Sequence, residues 1–297
     1  MRVVISGSSG LIGSALKNSL IADDHEVIAL VRRPAGNPGE ISWDPDTGTI
    51  DRASLESADA VVNLNGASIG GRRWSKSYKK TLLASRTNAT RTLAEAMVGL
   101  EQPPQVLVSA SGIDYYGLEH GSEVLDEEEA LGAGFLARVI EYWEDAAVPA
   151  TEAGVTVIHP RFGMVMSPRG GALAEMLPFF RLGLGGALAG GDAYWSPVSL
   201  IDTVRALRFL IDTRGCTGPY NVTAPQPVTN AEFARVLAAM LNRPTLLPVP
   251  AIALQIRYGE LAEVVLASRR VVPRRLLAAG FEFDHPDARS IVKAALR

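Results

Sequence analysis

A single cysteine, Cys216, is all the thiol this sequence holds, so no internal disulfide can staple the fold. Histidine is nearly as scarce. His25, His120, His159 and His285 are dispersed, without the spacing of a metal-ligand set, and no metal is expected. Uncharged stretches such as 244–256 fall short of the roughly 18 apolar residues a membrane helix needs and contain proline or glycine. Charge of one sign is also lacking: the formal charge is −3 and the basic residues are scattered, which argues against a nucleic-acid face. Strand-like residues begin at Arg2 and lead directly into a glycine motif, which leaves no basic start, apolar stretch and cleavage site. The expectation is a cytoplasmic protein with no membrane or nucleic-acid partner. Lysine is confined to Lys17, Lys76, Lys79, Lys80 and Lys293, so the whole middle of the chain has no ammonium group.

What is present is an ordinary globular composition, 47% hydrophobic and 21% charged over 297 residues. That is enough for a sizeable core, in two compact units or one large α/β unit. Strand-like segments at 2–6, 26–31, 58–65, 105–111 and 155–160 are rich in Val, Ile and Leu, as buried parallel strands are. Helix-like segments lie between them. Leu11, Ile12, Ala15, Leu16 and Leu20 form one apolar stripe, and Leu82, Leu83, Ala89, Leu93, Ala96 and Met97 form another. The alternation predicts an α/β fold with a doubly wound parallel sheet over residues 1–165, completed by about 198–225. Beyond Arg161 the sequence turns glycine-rich and proline-punctuated, with helical stretches at 231–241 and 252–266. Residues 166–297 are therefore expected to form a smaller C-terminal domain on the substrate side.

The most specific segment is Val3-Val4-Ile5-Ser6-Gly7-Ser8-Ser9-Gly10-Leu11-Ile12-Gly13, where a buried strand meets three glycines at three-residue intervals and then an amphipathic helix. Glycine allows the tight turn and close backbone approach, and the free N–H groups at a helix start favour a pyrophosphate. After the second strand, where an NAD-binding protein places Asp or Glu for the ribose hydroxyls, this chain has Arg32 and Arg33. Paired guanidinium groups suit a 2′-phosphate, and charge-assisted bonds of roughly 1.5–3 kcal/mol each give about tenfold or more preference for NADP(H). The alternative is a pair of solvated surface arginines. A third element, Val61-Val62-Asn63-Leu64-Asn65-Gly66-Ala67, ends a strand where the carboxyl edge meets the cofactor, with Gly66 permitting close approach. A fourth, 109–117, places Ser109 and Ser111 at a strand end ahead of Tyr115, Tyr116 and Gly117. Such residues serve equally as a reaction floor or as turn and packing residues.

Taken in order, these elements resemble the extended short-chain dehydrogenase/reductase superfamily. Further blocks narrow the resemblance: Arg73-Trp74, Ser85-Arg86, Tyr115-Tyr116-Gly117, Trp143-Glu144, Arg169-Gly170-Gly171-Ala172-Leu173, 180–186, 221–230, 272–276 and 279–281. They resemble the atypical epimerase family, described as nucleoside-diphosphate-sugar epimerase-like or SulA-like, including its C-terminal domain of unassigned role. The resemblance runs over nearly the whole chain. It implies NADP(H) in a Rossmann domain, a small C-terminal domain forming the other wall of a cleft, and either a monomer or a homodimer.

The superfamily's chemistry uses a tyrosine with a lysine four residues later, the lysine lowering the phenol pKa. None of the seven tyrosines here has that lysine. Aligned through Trp143-Glu144, the two positions fall at about Leu136 and Ile140, both aliphatic. Ser111 maps to the superfamily's catalytic hydroxyl, which orients a carbonyl but supplies no proton without a tuned partner. Tyr116 is the candidate proton donor, with Tyr115 as runner-up, and Asp114 reads as a turn residue. Arg86 resembles the family's Ser-Arg pair at cofactor phosphate or ribose, with a surface salt bridge as the alternative. Pro160 and Arg161 end the fifth strand near the nicotinamide, where Arg161 would clamp an anion. Trp74 and Trp195 line the cleft or pack a core. Two functions stay open: an NADP(H)-dependent oxidoreductase or epimerase acting on a small or nucleotide-linked carbonyl compound, and a catalytically silent NADP(H)-binding protein with a structural or redox-sensing role.

Overall fold

The computed structural model describes residues 1–245 and 248–297, so residues 246 and 247 of the uncharged segment 244–256 lie outside the described residues. Its first third comprises β1 (Arg2–Ser6), α1 (Leu11–Ala22), β2 (Glu26–Val31), β3 (Glu40–Asp44), β4 (Thr49–Ile50), β5 (Ala60–Asn63) and α2 (Lys76–Met97). There follow β6 (Val106–Ser109), β7 (Ser111–Gly112), β8 (Glu119–Leu125), α3 (Phe135–Asp145), α4 (Val148–Glu152), β9 (Thr156–Phe162) and β10 (Met164–Met166). The remainder adds α5 (Gly171–Arg181), β11 (Tyr194–Trp195), β12 (Pro197–Ser199), α6 (Leu200–Asp212), β13 (Gly218–Val222), β14 (Val228–Thr229) and α7 (Asn230–Met240). Last come α8 (Ala251–Tyr258), α9 (Leu261–Leu266), β15 (Ser268–Val271), α10 (Arg274–Ala278) and α11 (Ala288–Ala295).

The main sheet runs in the order β13-β9-β6-β5-β1-β2-β3-β4, with β7 also beside β9. Every pairing in it is parallel except β3 with β4. From β1 the chain steps outward to β2 and β3, then returns to lay β5 on the opposite side of β1. That reversal creates a crevice at the carboxyl ends of β1 and β5, the place where this architecture receives ligands.

Successive strand residues point to opposite faces, and each face finds its own helices. Val3, Ile5, Val62 and Val108 pack with Leu16 and Leu20 of α1 and Leu207 and Leu210 of α6. Val4, Val61, Leu107 and Val157 pack with Leu93 and Met97 of α2 and Ala150 of α4. A separate core joins Leu173, Leu177, Phe180, Trp195, Phe233, Leu237, Ile291 and Val292. Trp195 is thus a packing residue, its ring 5.6 Å from that of Phe233. The two parts are stitched by the parallel pairing of β8 with β15.

The strands expected at 2–6 and 26–31 coincide with β1 and β2. Those expected at 58–65 and 105–111 contract to β5 and β6, and the fifth extends to Phe162. The helical stretch 252–266 is two helices, because Gly259 turns left-handed at φ +61° between them. β3, β8 and β15 had no expectation from the pattern.

Gly13 sits where α1 presses on the turn before it: a Cβ there would lie 2.2 Å from the Gly7 carbonyl oxygen. Backbone cannot swing aside as a side-chain end can. Gly13→Ala is expected to lower the unfolding free energy by about 3 kcal/mol, the overlap outweighing a helix-propensity gain of about 1 kcal/mol. A urea midpoint that falls at constant slope checks this.

Candidate functional site

The β1 to α1 turn is shaped by its neighbours. Gly7 has φ +74°, and a Cβ on it would sit 2.7 Å from the backbone carbon and oxygen of Leu64. The turns after β1 and β5 therefore touch main chain to main chain. Helix α1 begins with Gly10 as N-cap and has no side-chain cap, so its first N–H groups are left for solvent or a ligand. Ser9 and Gly10 are exposed, Ser8, Leu11 and Ile12 are half-buried, and Gly13 is buried. Beside this turn, Nδ2 of Asn65 is buried without a hydrogen-bond partner among the described residues. Behind it lies Arg86, whose Nη1 donates to the Leu82 carbonyl (2.9 Å) and Nη2 to the Ala67 carbonyl (3.1 Å). Its guanidinium lies 5.1 Å from the Trp143 ring centre and packs against Gly66. It has no carboxylate in salt-bridge range among the described residues. Burial pushes its pKa down to about 10, against the pull of Asp114 and Tyr78. Arg86 is a buried cation, not a surface ion pair.

After β2 the two arginines part company. Arg33 is gripped bidentately by Glu40 at 2.7 and 2.8 Å. Hydrogen bonds from Arg33, with the Gly36 N–H and the Arg33 charge adding to them, hold the Glu40 carboxyl at about 2. A paired clamp is therefore not preformed. Arg32 is exposed and makes no ion pair among the described residues.

Two rows of polar side chains cross the sheet. In the first, Ser6, Asn63 and Ser109 are in register. Ser6 donates to Asn63 Oδ1 (2.7 Å), Asn63 Nδ2 donates to Thr90 (2.8 Å), and Ser109 lies 3.3 Å from the Thr90 hydroxyl. Trp143 Nε1 donates to the same Thr90 oxygen at 3.0 Å. Ser109, expected at the cofactor, is instead fully buried and occupied inside this network. The second row, nearer the carboxyl edge, aligns Ser111, Arg161 and Asn221 on β7, β9 and β13. Glu144 reaches down from α3 to join it. Arg161 Nε and Nη2 donate to its two oxygens at 2.9 and 2.8 Å, and Ser111 Oγ donates to it at 2.6 Å. Arg161 Nη1 lies 3.3 Å from the Tyr116 hydroxyl, which donates to Asn221 Oδ1 at 2.8 Å.

These bonds correct three expectations. Tyr116 is fully buried among Ile113, Leu125 and Val271. Burial pushes its phenol up to about 12, against the Arg161 charge, so it neither meets a substrate nor releases a proton near neutrality. Arg161 is buried and committed to Glu144, so it has no free fork for an anion. Pro160 is buried within β9 and does not form a turn after it. Ser111 stands at the edge as expected, but its proton points at a carboxylate. Burial alone would raise Glu144; the hydrogen bonds and charge of Arg161, helped by Ser111, hold it below the ordinary range instead.

Leu136 and Ile140 are buried on α3, and Ile140 packs with Ala110, Trp143, Tyr115 and Phe162. This face of α3 is aliphatic, and Glu144 is the polar group one turn beyond Ile140. The role of Glu144 escaped sequence reading, although Trp143-Glu144 marked the place. Tyr115 is half-buried on this patch, its ring face 3.4 Å from the Arg161 guanidinium. Asp114, read as a turn residue, pairs with Arg269 of β15 at 2.8 Å. Trp74 packs edge-on to Phe135, the first residue of α3.

The depressed Glu144 carboxyl makes a stability contribution that is present above its unfolded-state pKa and is lost as pH falls through its folded one. Glu144→Gln should cost about 3–5 kcal/mol at pH 7, since it strands a buried guanidinium. The difference from wild type should shrink steadily below about pH 4. Denaturation curves at a series of pH values test this, and a gap that widens toward acid contradicts it.

With this geometry in hand, comparison with known proteins is direct. Residues 3–142 match the NAD dependent epimerase/dehydratase family, and residues 249–295 match a domain of unknown function, DUF1731. An epimerase family protein of Mycobacterium bovis is 44% identical over 95% of this chain and 93% of its own length. Human epimerase family protein SDR39U1, solved with NADPH, superposes with a TM-score of 0.91 at 34% identity, covering 100% of both chains. A Corynebacterium glutamicum nucleoside-diphosphate sugar epimerase gives 0.80 at 32% identity over 99% of this chain and 58% of that one. The parallel sheet is the Rossmann-type NAD(P)-binding fold, and the chain belongs to the epimerase family, with DUF1731 as its C-terminal part.

Proposed function

We propose that this chain binds NADP(H) and acts as an oxidoreductase or epimerase on a small or nucleotide-linked carbonyl compound. The observation that carries the reading is Arg32, exposed and without an ion-pair partner among the described residues, at the end of the strand beside an uncapped helix N-terminus. The residues present fit the nucleotide. The backbone N–H groups of Leu11, Ile12 and Gly13 at the uncapped start of α1 donate to a pyrophosphate, Arg32 takes the 2′-phosphate, and the Arg33–Glu40 pair forms the rim beside it. Leu64, Asn65 and Gly66 line the adjoining turn, where the unpartnered Asn65 amide and the buried Arg86 both favour a ligand oxygen. The NADPH in the human relative supports the same choice here. Bound in this place, the cofactor supplies hydride transfer.

The chain's own part in the chemistry is narrower than in the superfamily. Ser111 spends its O–H on a hydrogen bond to Glu144, so it positions a substrate oxygen more readily than it polarises one. Proton transfer falls to Tyr115, the half-buried phenol against Arg161, or to water. A second reading, a silent NADP(H) binder, is favoured by the aliphatic pair Leu136 and Ile140 and by the burial of Tyr116.

Calorimetry with both nucleotides tests the cofactor assignment: Arg32→Ala should weaken NADPH about tenfold or more and leave NADH unchanged. Tighter NADH binding by the wild type would remove it. Incubation of NADPH with a panel of carbonyl compounds and sugar nucleotides separates the two readings. Turnover that falls about 100-fold or more in Tyr115→Phe supports the enzyme. Unconsumed NADPH across the panel, despite tight binding, supports the silent binder.

A further inference from the structure

Beyond the nucleotide turn, a cavity of about 190 Å³ opens between the loop after β5 and the α8 to α9 turn, lined by Gly70, Arg72, Arg73, Arg257, Tyr258 and Leu261. The same loop carries Leu64, Asn65 and Gly66, so the cavity and the cofactor edge share one stretch of chain. Two contacts fasten it from the far side: Arg73 Nη2 donates to the Ile256 carbonyl, and Lys79 pairs with Glu260. Three guanidinium groups thus contribute to the wall of one small concavity. Counter-charge there is thin. Glu175 lies 3.4 Å from Arg257, both side chains well exposed, and Arg72 and Arg73 make no ion pair among the described residues. The Arg257 guanidinium also lies 5.1 Å from the Tyr258 ring centre.

Like charges gathered around a concave surface raise its positive potential and repel one another, so an anion entering relieves the repulsion and meets several donor forks at once. Charge count decides between anions. One carboxylate neutralises one guanidinium, whereas a phosphate ester or diphosphate brings up to two or more negative charges and several acceptor oxygens. The geometry points to a binding site for the phosphate-bearing end of the substrate in the Arg72, Arg73 and Arg257 cavity. This deepens the function proposed above, since the reacting end of the same molecule would extend toward Ser111 and Tyr115.

Protein saturated with NADPH is titrated with inorganic pyrophosphate in low-salt, phosphate-free buffer, with citrate in parallel as the carboxylate probe. Saturable pyrophosphate binding is expected, weakened about tenfold in Arg72→Ala and in Arg257→Ala and lost in the double variant. NADPH affinity, measured separately, should stay at the wild-type value in all three. Absence of pyrophosphate binding, an unchanged Kd in the double variant, or tighter citrate than pyrophosphate would overturn the assignment. Should NADPH fail to bind while pyrophosphate still depends on Arg72 and Arg257, the nucleotide reading falls and the anion site stands.

Discussion

The ion pair between Glu144 and Arg161 is the constraint around which the carboxyl edge of the sheet is organised. A charge pair taken out of water survives only where its remaining hydrogen-bond capacity is met. Ser111, Tyr116 and, through Tyr116, Asn221 meet it here, so four separate elements of the chain are held to one another by a single guanidinium. The cost of breaking that set is high enough to keep β7, β9 and β13 in register at this edge. It also explains why the phenol and hydroxyl that sequence order placed in catalytic positions are otherwise employed.

On the other side of the crevice the governing fact is backbone contact between the turns after β1 and β5. Gly7 against Leu64, and Gly13 against Gly7, leave no room for side chains, so this corner of the fold is rigid and its N–H groups are fixed in direction. Rigid donors lose little freedom on binding. The arginines around this corner are graded by burial: Arg86 behind the turn, Arg33 at the rim under Glu40, Arg32 in solvent.

Much of this was legible in the sequence, and the physical reason is local. Buried parallel strands are continuous Val and Ile runs, and the glycine spacing records contacts within a dozen residues, so β1, α1 and β2 are set by their own segments. That no tyrosine has a lysine four residues after it was equally plain, because an absent side chain needs no partner to be noticed. What escaped were features made by pairs far apart in the chain. β8 is polar and interrupted by Gly121, and becomes a strand through β15, about a hundred and fifty residues later. The commitments of Arg161 and Ser109 depend on Glu144 and Thr90, and nothing in an isolated residue declares its partner. Tyr115 and Tyr116 are adjacent in sequence, yet the turn at 113–116 sends one fully into the core and leaves the other half-buried.

The position of β13 bears on how the molecule is made. The strand closing one side of the main sheet is synthesised only after β10, α5, β11, β12 and α6. Until it emerges, β9 stands as an open sheet edge with unpaired main-chain groups, the kind of template on which stray chains assemble. A fragment ending near residue 166 would carry that exposed margin permanently. The main sheet is thus completed only by a strand that the chain reaches about sixty residues after β9.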